Sequence, residues 1–140
     1  MEVVPGRPDR CIALRRADAT LADLLDAALE IDSDRTAIIF DDEETSYRVL
    51  DERANRLAKG MIDLGLRSGD RVAVQLENRP EFLEIFIAVM RAGGALVPAN
   101  VMYTAGEMRH ILSDSRAKIL FVSNAISSRL RDTAPEIDGL

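Results

Sequence analysis

Apolar residues along this chain alternate between two rhythms, steps of three or four and short unbroken runs, which predicts helices alternating with buried strands. Leu21, Leu24, Leu25, Ala28 and Leu29 fall at helical spacing, with Thr20 and Asp23 in a plausible capping pattern before them. Thr36–Phe40 reads as a strand, residues 41–44 as a polar turn, and Thr45, Ser46 and Tyr47 as the returning arm of a small hairpin. Ser46 is placed to cap a helix whose apolar face is Leu50, Ala54, Leu57, Met61 and Leu64, and Gly65 is its expected stop.

The same alternation continues to the end of the chain. Arg67, Ser68, Gly69 and Asp70 are turn formers, and residues 71–76 follow as a strand rich in β-branched residues. Asn78, Pro80 and Glu81 suit a helix start: a side-chain acceptor, a residue without an orphaned N–H, and an acid at the positive end. Phe82, Ile85, Phe86, Val89 and Met90 are the expected buried face, and Gly93 with Gly94 ends the helix. Residues 95–97 form a short apolar strand closed by Pro98. Thr104 and Glu107 make a capping box for a helix that buries Met108, Ile111 and Leu112. Residues 118–122 are the next strand, and a helix is expected from Asn124 to Arg131. The expected fold is α/β: a mostly parallel sheet flanked by helices through right-handed crossovers, with a small N-terminal hairpin. Residues 1–18, with Pro5 and Pro8, are expected to form a surface arm, and residues 19–140 an incomplete N-terminal α/β subdomain.

Composition narrows the partners. With 140 residues, 47% of them apolar, the chain can fill one hydrophobic core. Its 24 acidic and 18 basic residues are interspersed and give a net charge of −6, which argues against nucleic acid or an anionic membrane surface. The longest wholly apolar run, residues 85–90, falls far short of the roughly 20 residues that span a bilayer, so no membrane span is expected. The first residues lack the apolar core of a secretory signal, and the single cysteine, Cys11, permits no intrachain disulfide. Both fit a cytoplasmic location.

Candidate chemistry is sparse. Ligands of open parallel sheets gather beyond the carboxyl ends of the strands, which here carry Glu77 and Asn78, Asn100 with Tyr103, and Ser123 with Asn124. These residues suit a polar ligand at helix N-termini, but they are also the types that build caps and turns, and that reading is preferred. His110, the only histidine, sits mid-helix on a face away from Met108 and Ile111 and is expected to face solvent. The acids Asp41, Asp42, Glu43 and Glu44 offer oxygen ligands for Mg²⁺ or Ca²⁺, yet consecutive acids on an extended turn alternate sides, so a solvated turn is expected. No segment matches a phosphate-binding glycine motif, and the stretch from Gly65 to Gly69 lacks the lysine such a loop needs. No catalytic, cofactor-binding or metal-binding residue is assigned on these grounds.

The residues read above as caps, strands and faces also form an ordered series. It runs through Thr45, Ser46, Tyr47 and Leu50; Asn55, Arg56, Leu57 and Ala58; and Leu64, Gly65 and Leu66 with Gly69, Asp70, Arg71, Val72 and Ala73. It continues with Asn78, Glu81 and Phe82; Ala92, Gly93, Gly94 and Ala95 with Val97, Pro98, Ala99 and Asn100; and Asp114 and Ser115 with Ala117 and Lys118. Over about residues 20–125 this series closely resembles the start of the AMP-forming acyl-CoA synthetases and related adenylating ligases. Asn100, where peptide-synthetase adenylation domains often carry an acid, leans toward the acyl-CoA synthetase branch.

The resemblance implies a two-step reaction. A carboxylic acid, expected to be a fatty acid, attacks ATP with Mg²⁺ to give an acyl-adenylate and pyrophosphate, and the thiol of coenzyme A then displaces AMP. It also implies that the phosphate loop, the acids for metal and ribose and the catalytic lysine lie downstream of Leu140. The chain alone is therefore expected to be inactive, its partner being the missing downstream part of the enzyme. A different class is a stand-alone binding or scaffolding module, with a possible homodimer through an exposed surface. A phospho-receiver, suggested by Asp41 and Asp42 after an apolar strand, is disfavoured because Leu76, Pro98 and Val122, rather than an acceptor Asp, close the later strands.

Overall fold

Val72, Ala73 and Val74 are completely buried, because they lie on a central strand covered on both faces. The computed structural model describes residues 21–130. The expected surface arm with Cys11, the capping role of Thr20 and the Arg131 end of the last helix lie outside the described residues. The elements run α1 (Leu21–Asp32), β1 (Thr36–Phe40), β2 (Glu43–Ser46), α2 (Tyr47–Asp63), β3 (Arg71–Gln75), α3 (Pro80–Arg91), β4 (Ala95–Pro98), α4 (Ala105–Ser115), β5 (Ala117–Val122) and α5 (Asn124–Leu130). β1 and β2 form an antiparallel hairpin; the other three strands form a parallel sheet in the order β4-β3-β5.

Successive side chains of β3 feed two cores. Val72 and Val74 pack with Leu50, Ala54 and Met61 of α2 and Ile85, Ala88 and Val89 of α3. Ala73 packs in the opposite core with Met108 and Leu112 of α4, and with Ala117, Ile126 and Leu130. This α/β sheet flanked by helices is the expected architecture. Pro98, opposite Val74, is tolerated because β4 is an edge strand among the described residues.

Local chemistry explains the element ends. Ser46 Oγ accepts the Val49 N–H at 3.3 Å at the start of α2. At its end Gly65 takes φ +97°, the Gly65 N–H donates to Ile62 O at 2.9 Å, and the Leu66 N–H donates to Met61 O at 3.0 Å. This is a Schellman stop, with Leu66 and Met61 both in the core. α3 ends the same way: Gly93 takes φ +73°, the Gly93 N–H donates to Met90 O, and the Gly94 N–H donates to Val89 O. The Gly69 N–H reaches Gly93 O, and the Ala95 N–H reaches Asp70 O, both at 2.8 Å, so the two Gly-containing turns lock together. Arg71 in turn donates to the carbonyl oxygens of Ser115 and Arg116, satisfying the end of α4.

Four local expectations are corrected. The hairpin turn is only Asp41 and Asp42, at φ 48° and 63°, the left-handed pair a type I′ turn requires; Glu43 and Glu44 already pair with Phe40 and Ile39. Leu64, assigned to the buried face of α2, is 80% exposed, because the Schellman turn sends Leu66 into the core instead. Asn78 does not cap α3: Pro80 occupies the first turn, which makes Arg79 the capping residue, without a side-chain cap bond. Finally, α3 buries more than the expected stripe, including Glu84, Ile87 and Ala88, since α1 and α2 pack on it as well as the sheet.

Candidate functional site: the carboxyl rim of the sheet and its groove

The polar residues at the carboxyl ends of the strands are drawn into hydrogen bonds that hold the rim together. Gln75, the last residue of β3, is completely buried, and its Nε2 donates to Asn100 O at 2.9 Å and Tyr103 O at 3.3 Å. Its Oε1 has no hydrogen-bond partner among the described residues. Asn100 Oδ1 accepts the Met102 N–H at 2.9 Å, an Asx turn that shapes the loop leaving β4. Ser123 Oγ donates to Glu77 Oε1 at 3.0 Å, joining the ends of β5 and β3. The structure thus brings Glu77 to Ser123, and Asn100 to Tyr103 through Gln75. Asn78 is exposed and stands apart.

Beside this rim, a groove of about 950 Å³ opens between α2, α3 and the ends of β3 and β5. Its floor is apolar, with Leu57, Met61, Leu76, Ile85 and Phe121, and its edge carries Arg53, Arg56 and Arg79. Arg53 pairs with the buried Glu84 at 2.9 Å, and Arg79 with Glu81 at 2.8 Å. The Arg79 hydrogen bond holds the Glu81 carboxyl below its ordinary pKa, and the hydrogen bond to Glu84 raises that of Arg53. Arg56 makes no ion pair among the described residues and is exposed.

The remaining candidates stay apart. His110 is exposed on α4, as expected. Among the described residues, no group of three or more His, Cys, Asp or Glu side chains is placed to hold a metal ion, and the acids at 41–44 are all exposed. Gln75 and the Arg53–Glu84 pair escaped the sequence reading. A lone polar residue between Val74 and Leu76 in a buried strand was the available signal, since such a group demands buried partners.

An α/β layer of this form, with Schellman stops after α2 and α3 and a rim of internal hydrogen bonds, is the N-terminal subdomain of the adenylate-forming ligase fold. The family model described as AMP-binding enzyme matches residues 25–139, and the chain belongs to that family. A medium/long-chain-fatty-acid and 3-oxocholest-4-en-26-oate CoA ligase of Mycobacterium marinum is 33% identical over 116 residues, 83% of this chain and 21% of the relative. Tyrocidine synthase 1 of Brevibacillus parabrevis is 33% identical over 109 residues, 78% of this chain and 10% of its own. A protein of Rhodopseudomonas palustris assigned as a long-chain-fatty-acid CoA ligase superposes with a TM-score of 0.83 at 31% identity, over 89% of this chain and 32% of the other. A benzoate CoA ligase from Burkholderia xenovorans gives 0.77 at 28% identity, over 84% and 24%. The chain corresponds to the N-terminal part of such ligases and spans 21% of the length of the mycobacterial relative.

Proposed function

We propose that this chain supplies the N-terminal scaffold of a ligase that activates a carboxylic acid, with a fatty acid as the favoured class, and passes it to coenzyme A. The family match across residues 25–139, with fatty-acid CoA ligases among the relatives on both sequence and structure, carries the reading. In the whole reaction a carboxylate oxygen attacks the α-phosphate of ATP, pyrophosphate leaves, and the thiol of coenzyme A then displaces AMP. No step is assigned through Mg²⁺ in this chain, where no group of three or more His, Cys, Asp or Glu side chains among the described residues is placed to hold a metal ion. Their part is positional: Gln75 fixes the loop after β4, Ser123 and Glu77 join two strand ends, and Arg53 with Glu84 braces α2 against α3.

The proposed partner is the downstream remainder of the enzyme, and the proposed location is the cytoplasm. No helix among the described residues is long and apolar enough to cross a membrane. The gene tests the reading. An in-frame Ser/Thr/Gly-rich phosphate loop beyond the codon for Leu140 is expected, with carboxylate-dependent pyrophosphate–ATP exchange by the product of that full frame. A stop codon directly after Leu140 would contradict it and favour a stand-alone binding module.

A further inference from the structure

We draw no further inference here: the strongest candidate, the apolar groove between α2, α3 and the ends of β3 and β5 with the smaller hollow beside the hairpin, carries none, because the chain spans 21% of the length of the mycobacterial relative and nothing in the structure shows what covers that face.

Discussion

The side-chain amide of Gln75 donates to the backbone oxygen of Asn100 at 2.9 Å, tying the end of the central strand to the loop that leaves its neighbour. A second bond from the same nitrogen reaches Tyr103 O at 3.3 Å. Gln75→Leu keeps the volume roughly constant but leaves two carbonyl oxygens without this donor. It should cost about 1–3 kcal/mol in urea unfolding, the usual penalty for buried polar groups stripped of a partner. Hydrogen exchange should quicken first at Met102 and Tyr103, ahead of the β3 core. Unchanged exchange there would show that the loop holds its shape without Gln75.

The glycines separate into opposite predictions. A Cβ at Gly94 would lie 3.2 Å from Asp70 O and 3.2 Å from Val89 Cγ1, at the point where Asp70 O accepts the Ala95 N–H. Gly94→Ala should therefore destabilise by about 1–3 kcal/mol through backbone displacement. Gly60 lies inside α2 with nothing within 4 Å of an added Cβ, so Gly60→Ala should stabilise by about 0.5–1 kcal/mol. Thermal melts of the two variants should move in opposite directions.

Two arginine pairs on the groove differ in burial and hence in value. The Glu84 side chain is only 9% exposed, so removing Arg53 leaves a carboxylate out of water without its cation. Arg53→Ala should cost about 1–3 kcal/mol, less than for a fully buried pair because Arg53 itself is 45% exposed. The Arg79–Glu81 pair is about half exposed on both sides, and Arg79→Ala should leave stability nearly unchanged. Equal destabilisation by the two variants in denaturant titrations would contradict this ordering.

The capping box of α4 predicts an acid dependence. Glu107 Oε2 accepts the Thr104 N–H at 2.8 Å, and that backbone hydrogen bond, followed by the Thr104 hydroxyl, holds the carboxyl below its ordinary value of 4.5. With the folded pKa depressed, the unfolded chain binds the proton more readily. The contribution is therefore complete above pH 4.5 and lost as pH falls through the folded value. Glu107→Gln should lack this component. The stability difference between wild type and variant should be constant near neutrality and shrink below pH 4.5, as followed by urea midpoints.

Much of the fold was readable because its signals are local. Ser46, the Thr104 and Glu107 box, and the Gly65 and Gly93 stops each act within one helical turn. The apolar run through Val72 and Val74 announces a strand covered on both faces. What escaped depends on distant packing. The partner that permits Glu84 to be buried is Arg53, 31 residues earlier, and the Nε2 of Gln75 finds its acceptors in a loop 25 or more residues later. Leu64 was misplaced because helical periodicity takes no account of the turn that begins there and delivers Leu66 to the core instead. The family was readable through the same scaffold residues, since its ordered motifs here are caps, stops and strand pairs. Asn55, for example, bonds Asp51 and Arg91 rather than lining a reaction centre.

The proposed role is that of a scaffold for a carboxylate-activating ligase, with no acyl-adenylate made by this chain alone. Exchange of radiolabelled pyrophosphate into ATP by the purified 140-residue chain, with a panel of fatty and aromatic carboxylates and Mg²⁺, tests it most directly. Exchange at the level of the no-carboxylate blank is the predicted result, and saturable, carboxylate-dependent exchange would contradict it.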